Sequence, residues 1–505
     1  MTAHRRVPAL VVALLAAVAL PACLLGPKYE RPEISAPVNH RGLEGEPAPA
    51  TLADTPWWEI FRDPVLQDLV RQAFTGSFDL RIAAARVEEA RARAGVAKSF
   101  LFPEVNLSGG YANRQVSRLT EPPEDGGQKD RDYSNYNLGF TLSWEIDLFG
   151  RLRREHESAA AVFLSTEEAR RGVVITLVAD VAQAYFDLRE LDLELEISRN
   201  TLQINDETVA FYDRRLKGGV SDKLELDQAV SNRARTAAVI PELERQIVVQ
   251  ENLIHFLLGQ APGPIPRGTA LTEQYHPPEI PAGLPSALLD RRPDVREAEE
   301  LLVSANADVG AAKALFFPTI SLTGLFGGAS HELSDLGNSD ARITSLAGGL
   351  FQPIFQSGRI KRNYEAAKAA FDQALARYQR AAFNSFREVA DNLVAIEKLE
   401  AVRIEREAGV EALRDAARLA RKRYTAGLSN YLEILIADQQ LFDSELLLAR
   451  TRGSQLDAVV DLYRSLGGGW LPDQEGNPQA PPSEAPPGGA APGAPAGDAP
   501  GAPMP

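Results

Sequence analysis

The side chains best suited to catalysis or metal binding are few in this 505-residue chain and lie far apart. There is one cysteine, Cys23, and the six histidines stand at positions 4, 40, 156, 255, 276 and 331. The sequence has no HExxH motif and no P-loop Lys-Ser/Thr signature, and a single thiol cannot form a disulfide within the chain or a Cys-based metal cage. The glycines at 467–469 lack the strand–turn–helix context of a nucleotide-binding loop. We therefore expect a protein that is not an enzyme and has no resident metal or cofactor.

Cys23 stands where its thiol can be acylated. A basic N-terminus and an uninterrupted apolar run at 10–20 form the pattern of a secretory signal that is too short to span a bilayer in the mature protein. The run leads to Pro21-Ala22-Cys23, which resembles a bacterial lipobox, with Pro21 in place of its usual residue types. We expect residues 1–22 to be removed and Cys23 to carry the lipid, which is a firm anchor if several acyl chains are attached. The alternative is an ordinary signal peptide beside an unmodified cysteine.

The mature chain contains a duplication. Residues 95–109 and 310–324 are identical at seven of fifteen positions, and further identities recur at an offset of 208, between 150–151 and 358–359 and beyond. We expect two copies of one structural unit, residues 66–283 and 284–471. Residues 23–65 would form the lipidated N-terminal segment and the start of an equatorial region. Residues 472–505, rich in Pro, Ala and Gly, are expected to be disordered.

Each copy is predicted to contain a helix, two strands, a long helix, a turn and a returning helix. In the first copy, a helical stripe runs over 66–98, and strands are predicted at 104–118 and 133–147 with an exposed loop between them. Apolar and polar residues alternate strictly across the second strand. In the second copy, alternation begins at 319, whereas the Gly-rich stretch at 341–354 has an ambiguous pattern.

The helices that follow the strands are unusually long. Residues 152–217 and 359–426 contain no proline and would each span about 100 Å, which favours coiled-coil packing. The returning helices are predicted at 222–258 and 430–466, and Pro241 predicts an interruption of the first. At the two turns, Gly219 and Gly427 suit helix C-caps, and Ser221 and Ser429 suit the next N-caps.

The strands determine whether the chain crosses a membrane. Apart from the signal, no segment has the roughly 18 consecutive apolar residues of a transmembrane helix, so a crossing requires a closed β-barrel. About eight strands are the minimum for a barrel, so copies of a four-stranded chain would have to share one. The alternative is a small soluble sheet packed on the helices. The net charge of −15 argues against a general nucleic-acid partner.

Six groups of residues then indicate a family. They are CLLGPKYERP at 23–32, WW at 57–58 with FRDPVL at 61–66, WEIDLFGR at 144–151, RRPDVREAE at 291–299, LFFP at 315–318 and LGGGW at 466–470. In this order, on a duplicated chain, they resemble the TolC/OprM superfamily of outer-membrane efflux proteins, in its NodT-type lipoprotein branch that serves RND pumps. The resemblance implies an α+β membrane protein. It would be a homotrimeric 12-stranded barrel, with four strands per protomer, continuing into an α-helical coiled-coil tunnel.

The resemblance also implies a function and partners. It implies a passive duct in the outer membrane, extending through the periplasm to a periplasmic adaptor and an inner-membrane RND transporter. The exported compounds would be drugs, other toxic small molecules or metal ions. A duct for an ABC-driven type I protein-secretion system is a second hypothesis, and a lipid-anchored coiled-coil scaffold without a pore is a third.

The same resemblance implies which residues act at the periplasmic end. Tyr424, Leu432 and Glu433 occupy the positions of a periplasmic gate, and three copies of Glu433 would form a ring of carboxylates that favours cations. Ile436 and Thr425 depart from the acidic and basic residues of some relatives. Alternatively, these side chains serve ordinary coiled-coil packing or form a solvated helix face. Adaptor contacts are implied at the two helix tips, where capping is the other role: Gly219, Val220, Ser221, Gly427, Leu428 and Ser429.

Overall fold

A computed structural model describes residues 24–41, 60–115, 132–274, 283 and 285–468. Three of the sequence predictions lie outside these residues: the signal peptide, the lipidation site Cys23 and the tail at 472–505. Most of the predicted loop between the first two strands also lies outside them.

The helices and strands follow the same order in both halves of the chain. The first half contains α1 (Pro64–Gly76), α2 (Phe78–Ser99), β1 (Glu104–Gln115), β2 (Asp132–Ile146), α3 (Arg151–Lys217) and α4 (Lys223–Leu257). The second contains the short α5 (Leu288–Arg291), then α6 (Pro293–Ala314), β3 (Thr319–Ser330), β4 (Arg342–Phe351), α7 (Arg359–Thr425) and α8 (Tyr431–Ser465). The long helices α3 and α7 each have 67 residues, and the returning helices α4 and α8 each have 35. The predicted pair of long helical hairpins is thereby confirmed.

Two details of the helix prediction are wrong. The single stripe at 66–98 is two helices, because Gly76 lies against the backbone carbonyl of Leu258 so closely that no Cβ would fit. Ser77, whose ψ of 128° is not helical, redirects the chain. Pro241 does not interrupt α4, which continues through it. A proline inside a helix costs about 3 kcal/mol; here the neighbouring Leu243 and Ile247 are buried in the main core, and this tertiary packing holds the helix together.

The four strands form one antiparallel sheet in the order β1-β2-β3-β4, so β2 and β3 join the two halves. The register places Leu107 opposite Phe140, and Phe140 opposite Phe326, on one face. The register also assigns β4, whose sequence pattern was ambiguous. Leu346 of β4 pairs with Gly324, which in turn pairs with Leu142, so Leu346 lies on the same apolar face. Polar residues occupy the other face, where Asn106 pairs with Thr141 and Ser143 pairs with Thr323.

No helix of the described chain covers the apolar face of the sheet. Leu107, Phe140 and Leu346 are 63%, 52% and 63% exposed. The alternative of a soluble sheet packed on the helices is therefore wrong for the isolated chain. Among the described residues, no helix is both long and apolar enough to cross a bilayer.

The main core contains residues of the short helix α1 and of the longer helices α3 and α8. Leu66 and Val70 of α1 pack in one cluster with Val181 and Leu188 of α3 and Leu462 of α8. This burial fixes the middle of the two hairpins relative to each other.

Asp63 is the polar centre of this region. Its carboxylate caps α1 by accepting from the backbone N–H of Val65 at 2.8 Å. It also accepts from the Tyr185 hydroxyl at 2.8 Å, the Thr269 backbone N–H at 2.8 Å and the Gln274 amide at 3.0 Å. These bonds explain the FRDPVL motif as a structural element.

The RRPDVREAE motif also has a structural role, in the second half of the chain. Arg292, 7% exposed, precedes α6 and donates to the backbone carbonyl of Ser465 in α8 at 2.8 Å. Its guanidinium also pairs with Asp294 at 2.7 Å and with Glu388 of α7 at 2.8 Å. The RRPDVREAE motif thus joins three helices at one point.

Candidate functional site

The two hairpin turns have the same backbone structure. Gly219 and Gly427 adopt left-handed φ angles of +73° and +71°. At the first turn, the N–H of Gly219 donates to the Leu216 carbonyl at 3.0 Å, and the N–H of Val220 donates to the Arg215 carbonyl at 3.0 Å. The second turn repeats this pair of bonds. Each is a Schellman motif, which satisfies the last carbonyls of the long helix and confirms the predicted glycine caps.

The residues that begin the returning helices differ from the prediction. The N-caps are Asp222 and Asn430, one residue after Ser221 and Ser429. Asp222 has extended backbone angles, and its carboxylate accepts from the Glu225 N–H at 3.0 Å. The Schellman hydrogen bonds extend to Val220 and Leu428, and the serines lie between these residues and the N-caps.

The tips present apolar side chains to the outside. Val220 and Leu428 occupy equivalent positions and are 64% and 70% exposed. A Cβ added at Gly219 or Gly427 would meet nothing within 4 Å. The turns are therefore fixed in backbone but open on their outer surface, as a docking surface requires.

Tyr424 is buried within the chain, between the two hairpins. The ring packs edge-on against Tyr212 of α3 at a centroid distance of 5.8 Å and against Phe211 at 6.5 Å. Tyr431 of α8 lies 4.5 Å from the Tyr212 ring. We call Phe211, Tyr212, Tyr424 and Tyr431 the aromatic cluster; with the charge on Arg215, it links the tip of α3 to the tips of α7 and α8.

Arg215 completes this contact. Its guanidinium lies 5.5 Å from the Phe211 ring centroid and 5.4 Å from that of Tyr424, in cation–π geometry. It also donates to the backbone carbonyl of Val220 at 3.1 Å. Burial, and then a hydrogen bond with the Tyr424 hydroxyl, raise the pKa of Tyr212, whereas burial raises the pKa of Tyr431 to about 12. Both phenols are thus neutral at physiological pH.

Leu432 and Glu433 lie on the surface of α8. Leu432 is 49% exposed, and Ile436, one turn further, is 46% exposed. Arg423 forms an ion pair with Glu433 at 3.3 Å and donates to the Leu428 carbonyl at 3.5 Å. In the sequence alignment of the two halves, Arg423 is the counterpart of Arg215, which makes the same contact at the other tip.

The structure thus separates the predicted gate residues into two groups. Tyr424 is buried between hairpins, whereas Leu432 and Glu433 are exposed. Sequence reasoning missed Phe211, Tyr212 and Arg215 altogether, because their role depends on a contact with the other half of the chain. The one signal was the Phe-Tyr pair near the tip of α3, which is Leu-Ala at the aligned positions of α7. Within the described ranges, no group of three or more His, Cys, Asp or Glu is arranged to hold a metal ion.

Comparison with known proteins decides the family. A sequence model described as "Outer membrane efflux protein" matches residues 69–260 and 284–468, one segment in each half. The chain belongs to the outer membrane efflux protein family. As a member of this family, it is an efflux channel component of the outer membrane that extends into the periplasm.

Relatives of this outer membrane efflux protein match along nearly their whole length. The solvent efflux pump outer membrane protein SrpC of Pseudomonas putida is 35% identical over 462 residues, covering 90% of this chain and 96% of SrpC. The cation efflux system protein CusC of Escherichia coli is 32% identical over 461 residues, covering 90% of this chain and 97% of CusC. The fold is similar to the crystal structure of a membrane protein from Pseudomonas aeruginosa, with a TM-score of 0.82 and 32% identity. The match covers 88% of this chain and 100% of the other chain.

Proposed function

We propose that three copies of this chain form a closed exit duct of a tripartite RND-type efflux pump. The observation that carries the proposal is the four-stranded sheet, whose apolar face is uncovered and whose edge strands β1 and β4 each have one unpaired side. Unpaired edges and exposed apolar faces are avoided in stable proteins. Three such sheets joined edge to edge would remove every edge and give twelve strands with an apolar exterior for lipid.

The helices continue this duct into the periplasm. The long helices begin within a few residues of the strands, after the N-caps Gly150 and Gly358, and at 67 residues each they reach about 100 Å. We propose that Cys23, once acylated, anchors the mature N-terminus in the membrane. The segment after it runs along the protomer, where the Arg154 side chain donates to the carbonyls of Leu25 at 3.1 Å and Pro27 at 3.0 Å.

The gate in this proposal has two parts. The aromatic cluster, with Arg215, holds the second hairpin (α7 and α8) against the first (α3 and α4) within each protomer. Leu432 and Glu433 then meet their copies across the threefold axis, as an apolar ring and a ring of three carboxylates that favours cations. An outward swing of the second hairpin widens the lower end of the duct.

The partners follow from the exposed tips. The Gly219-Val220-Ser221 and Gly427-Leu428-Ser429 turns form equivalent apolar surfaces on which a periplasmic adaptor docks, and the adaptor connects the duct to an inner-membrane RND transporter. The relatives named above are components of solvent and cation efflux systems, which favours small toxic compounds or metal ions as cargo over secreted proteins.

Native mass spectrometry of the protein extracted from outer membranes tests the assembly. We expect a trimer whose subunits each have the mass of the mature chain plus acyl groups.

A complementation assay tests efflux. A deletion strain that carries the wild-type gene should regain efflux of a fluorescent dye only when the cognate pump and adaptor are present. A monomer in the outer membrane, or efflux that ignores the pump, contradicts the proposal.

A further inference from the structure

The two hairpins meet a second time, far from the tips, at a carboxylate of α3. The side chain of Glu190 lies on Gly453 of α8, where an added Cβ would come within 2.9 Å of the Glu190 Cδ and 3.3 Å of its Cβ. Glycine inside a helix costs about 1 kcal/mol relative to alanine. Gly453 therefore leaves a gap in the surface of α8 that the Glu190 carboxyl occupies.

The surroundings of this carboxyl are acidic. On α3, Asp187 and Glu194 lie one turn to either side, and α8 contributes Asp457. Arg450 of α8 is the neighbouring cation, but its guanidinium is bound to Glu194 at 2.5 Å. Burial first, and then the three neighbouring carboxylates, raise the pKa of Glu190 to about 8, and Arg450 offsets only part of this effect.

Among the described residues, Arg450 is the cation whose charge acts on Glu190. From α4, the Gln250 amide donates to Asp187 at 3.2 Å. One buried oxygen of Asp457 has no hydrogen-bond partner among the described residues, and burial, followed by the charges of Asp187 and Asp461, raises the pKa of Asp457 to about 7. Asp461 itself is paired with Arg464 at 2.7 Å.

We propose that the contact between Glu190 and Gly453 is a protonation-dependent latch that holds the second hairpin against the first. The neutral carboxyl fits the gap in α8, whereas the ionised carboxylate is desolvated there and repelled by Asp187, Glu194 and Asp457. The 27 residues of α3 between Glu190 and Lys217 correspond to about 40 Å, so the latch acts on the same pair of hairpins well above the aromatic cluster. An effect of the latch on opening of the duct rests on the gate proposed above. The existence of the latch does not depend on that gate.

The direction of the pH effect follows from linkage. When α8 moves away, the Glu190 carboxyl returns toward its ordinary pKa of 4.5 from the value of about 8 in the packed state. The packed state therefore holds more protons between these two values. The ratio of latched to released protein is greatest below pH 4.5, falls by up to about tenfold per pH unit, and reaches its lowest value above pH 8.

The test uses the purified full-length protein in nanodiscs from pH 5 to 9. Infrared difference spectra report the C=O stretch of protonated carboxyl groups, and spin labels at the exposed positions Asn200 of α3 and Leu447 of α8 report the distance between these helices. We expect a C=O band that is lost between pH 5 and 8 and an α3–α8 distance that increases over the same range. Glu190→Gln should abolish the distance change and the part of the band that belongs to Glu190, whereas the titration of Asp457, whose pKa is raised to about 7, remains. Glu196→Gln, an identical substitution at an exposed position of the same helix, should abolish neither.

A second variant approaches the contact from α8. Gly453→Ala fills the gap and should give the released distance at every pH; if it does not fold, the pH titrations of the wild type and Glu190→Gln remain decisive. Equal pH responses in the wild type and Glu190→Gln overturn the latch. These measurements need no pump, adaptor or cargo, so their failure is distinct from failure of the proposed efflux function, which the complemented deletion strain reports.

Discussion

Removal of the Tyr424 side chain should open the duct. In Tyr424→Ala, the second hairpin loses the edge-on contacts with Tyr212 and Phe211 and the cation–π contact with Arg215. Truncation of a buried aromatic residue to alanine typically costs about 3–5 kcal/mol. If this contact is lost when the hairpins separate, the closed-to-open ratio falls by at least about a hundredfold, at about 1.4 kcal/mol per factor of ten.

A milder variant separates the hydrogen bond from the packing. Tyr424→Phe keeps the ring and removes only the hydroxyl that bonds with Tyr212. A hydrogen bond contributes about 1 kcal/mol net, which corresponds to an approximately fivefold shift toward the open state. The order of effects is therefore alanine, then phenylalanine, then wild type.

Single-channel recording in planar bilayers measures this order as conductance and open probability. Leu419→Ala is the matched control, because Leu419 lies near the same tip of α7 but is 50% exposed. It should behave as the wild type. Identical conductance in Tyr424→Ala, Leu419→Ala and the wild type, all from intact trimers, would refute the role of the aromatic cluster.

Three further predictions concern other parts of the chain. Cys23→Ser should remove the acyl mass from the mature protein in intact-mass spectrometry, and an unchanged mass apart from the substitution would exclude lipidation. Replacement of Gly219 and Gly427 together by valine should abolish dye efflux without lowering trimer yield, because side chains at left-handed φ angles distort the tips; full efflux would count against docking there. Asp63→Ala should lower the melting temperature, because it leaves several buried donors unsatisfied at about 1–3 kcal/mol each, whereas Asp68→Ala, at an exposed ion pair on α1, should leave it nearly unchanged.

Periodicity made the long elements predictable. The alternation across β2 showed which of its residues share a face. The Gly-rich pattern of β4 did not show this, and the faces of β4 became clear only from its register with β3. The absence of proline over 67 residues predicted α3 and α7 to within a residue at each end. These signals are local, so the sequence carries them in full.

The errors arose where distant parts of the chain meet. The break at Ser77 follows from the contact between Gly76 and Leu258, which lie at opposite ends of one repeat. Pro241 is tolerated because tertiary packing holds α4 together, which no local pattern reveals. The partners of Tyr424 were missed for the same reason, since Tyr212 lies 212 positions earlier.

Chemical crosslinking in native membranes, followed by purification of this protein and mass spectrometry of its partners, tests whether the chain is the exit duct of an RND efflux pump. We expect a periplasmic adaptor crosslinked through the Val220 and Leu428 turns, together with an inner-membrane RND transporter. Recovery of an ABC exporter instead would assign the duct to protein secretion. Recovery of neither, from cells in which the pump is expressed, would contradict a role as its exit duct.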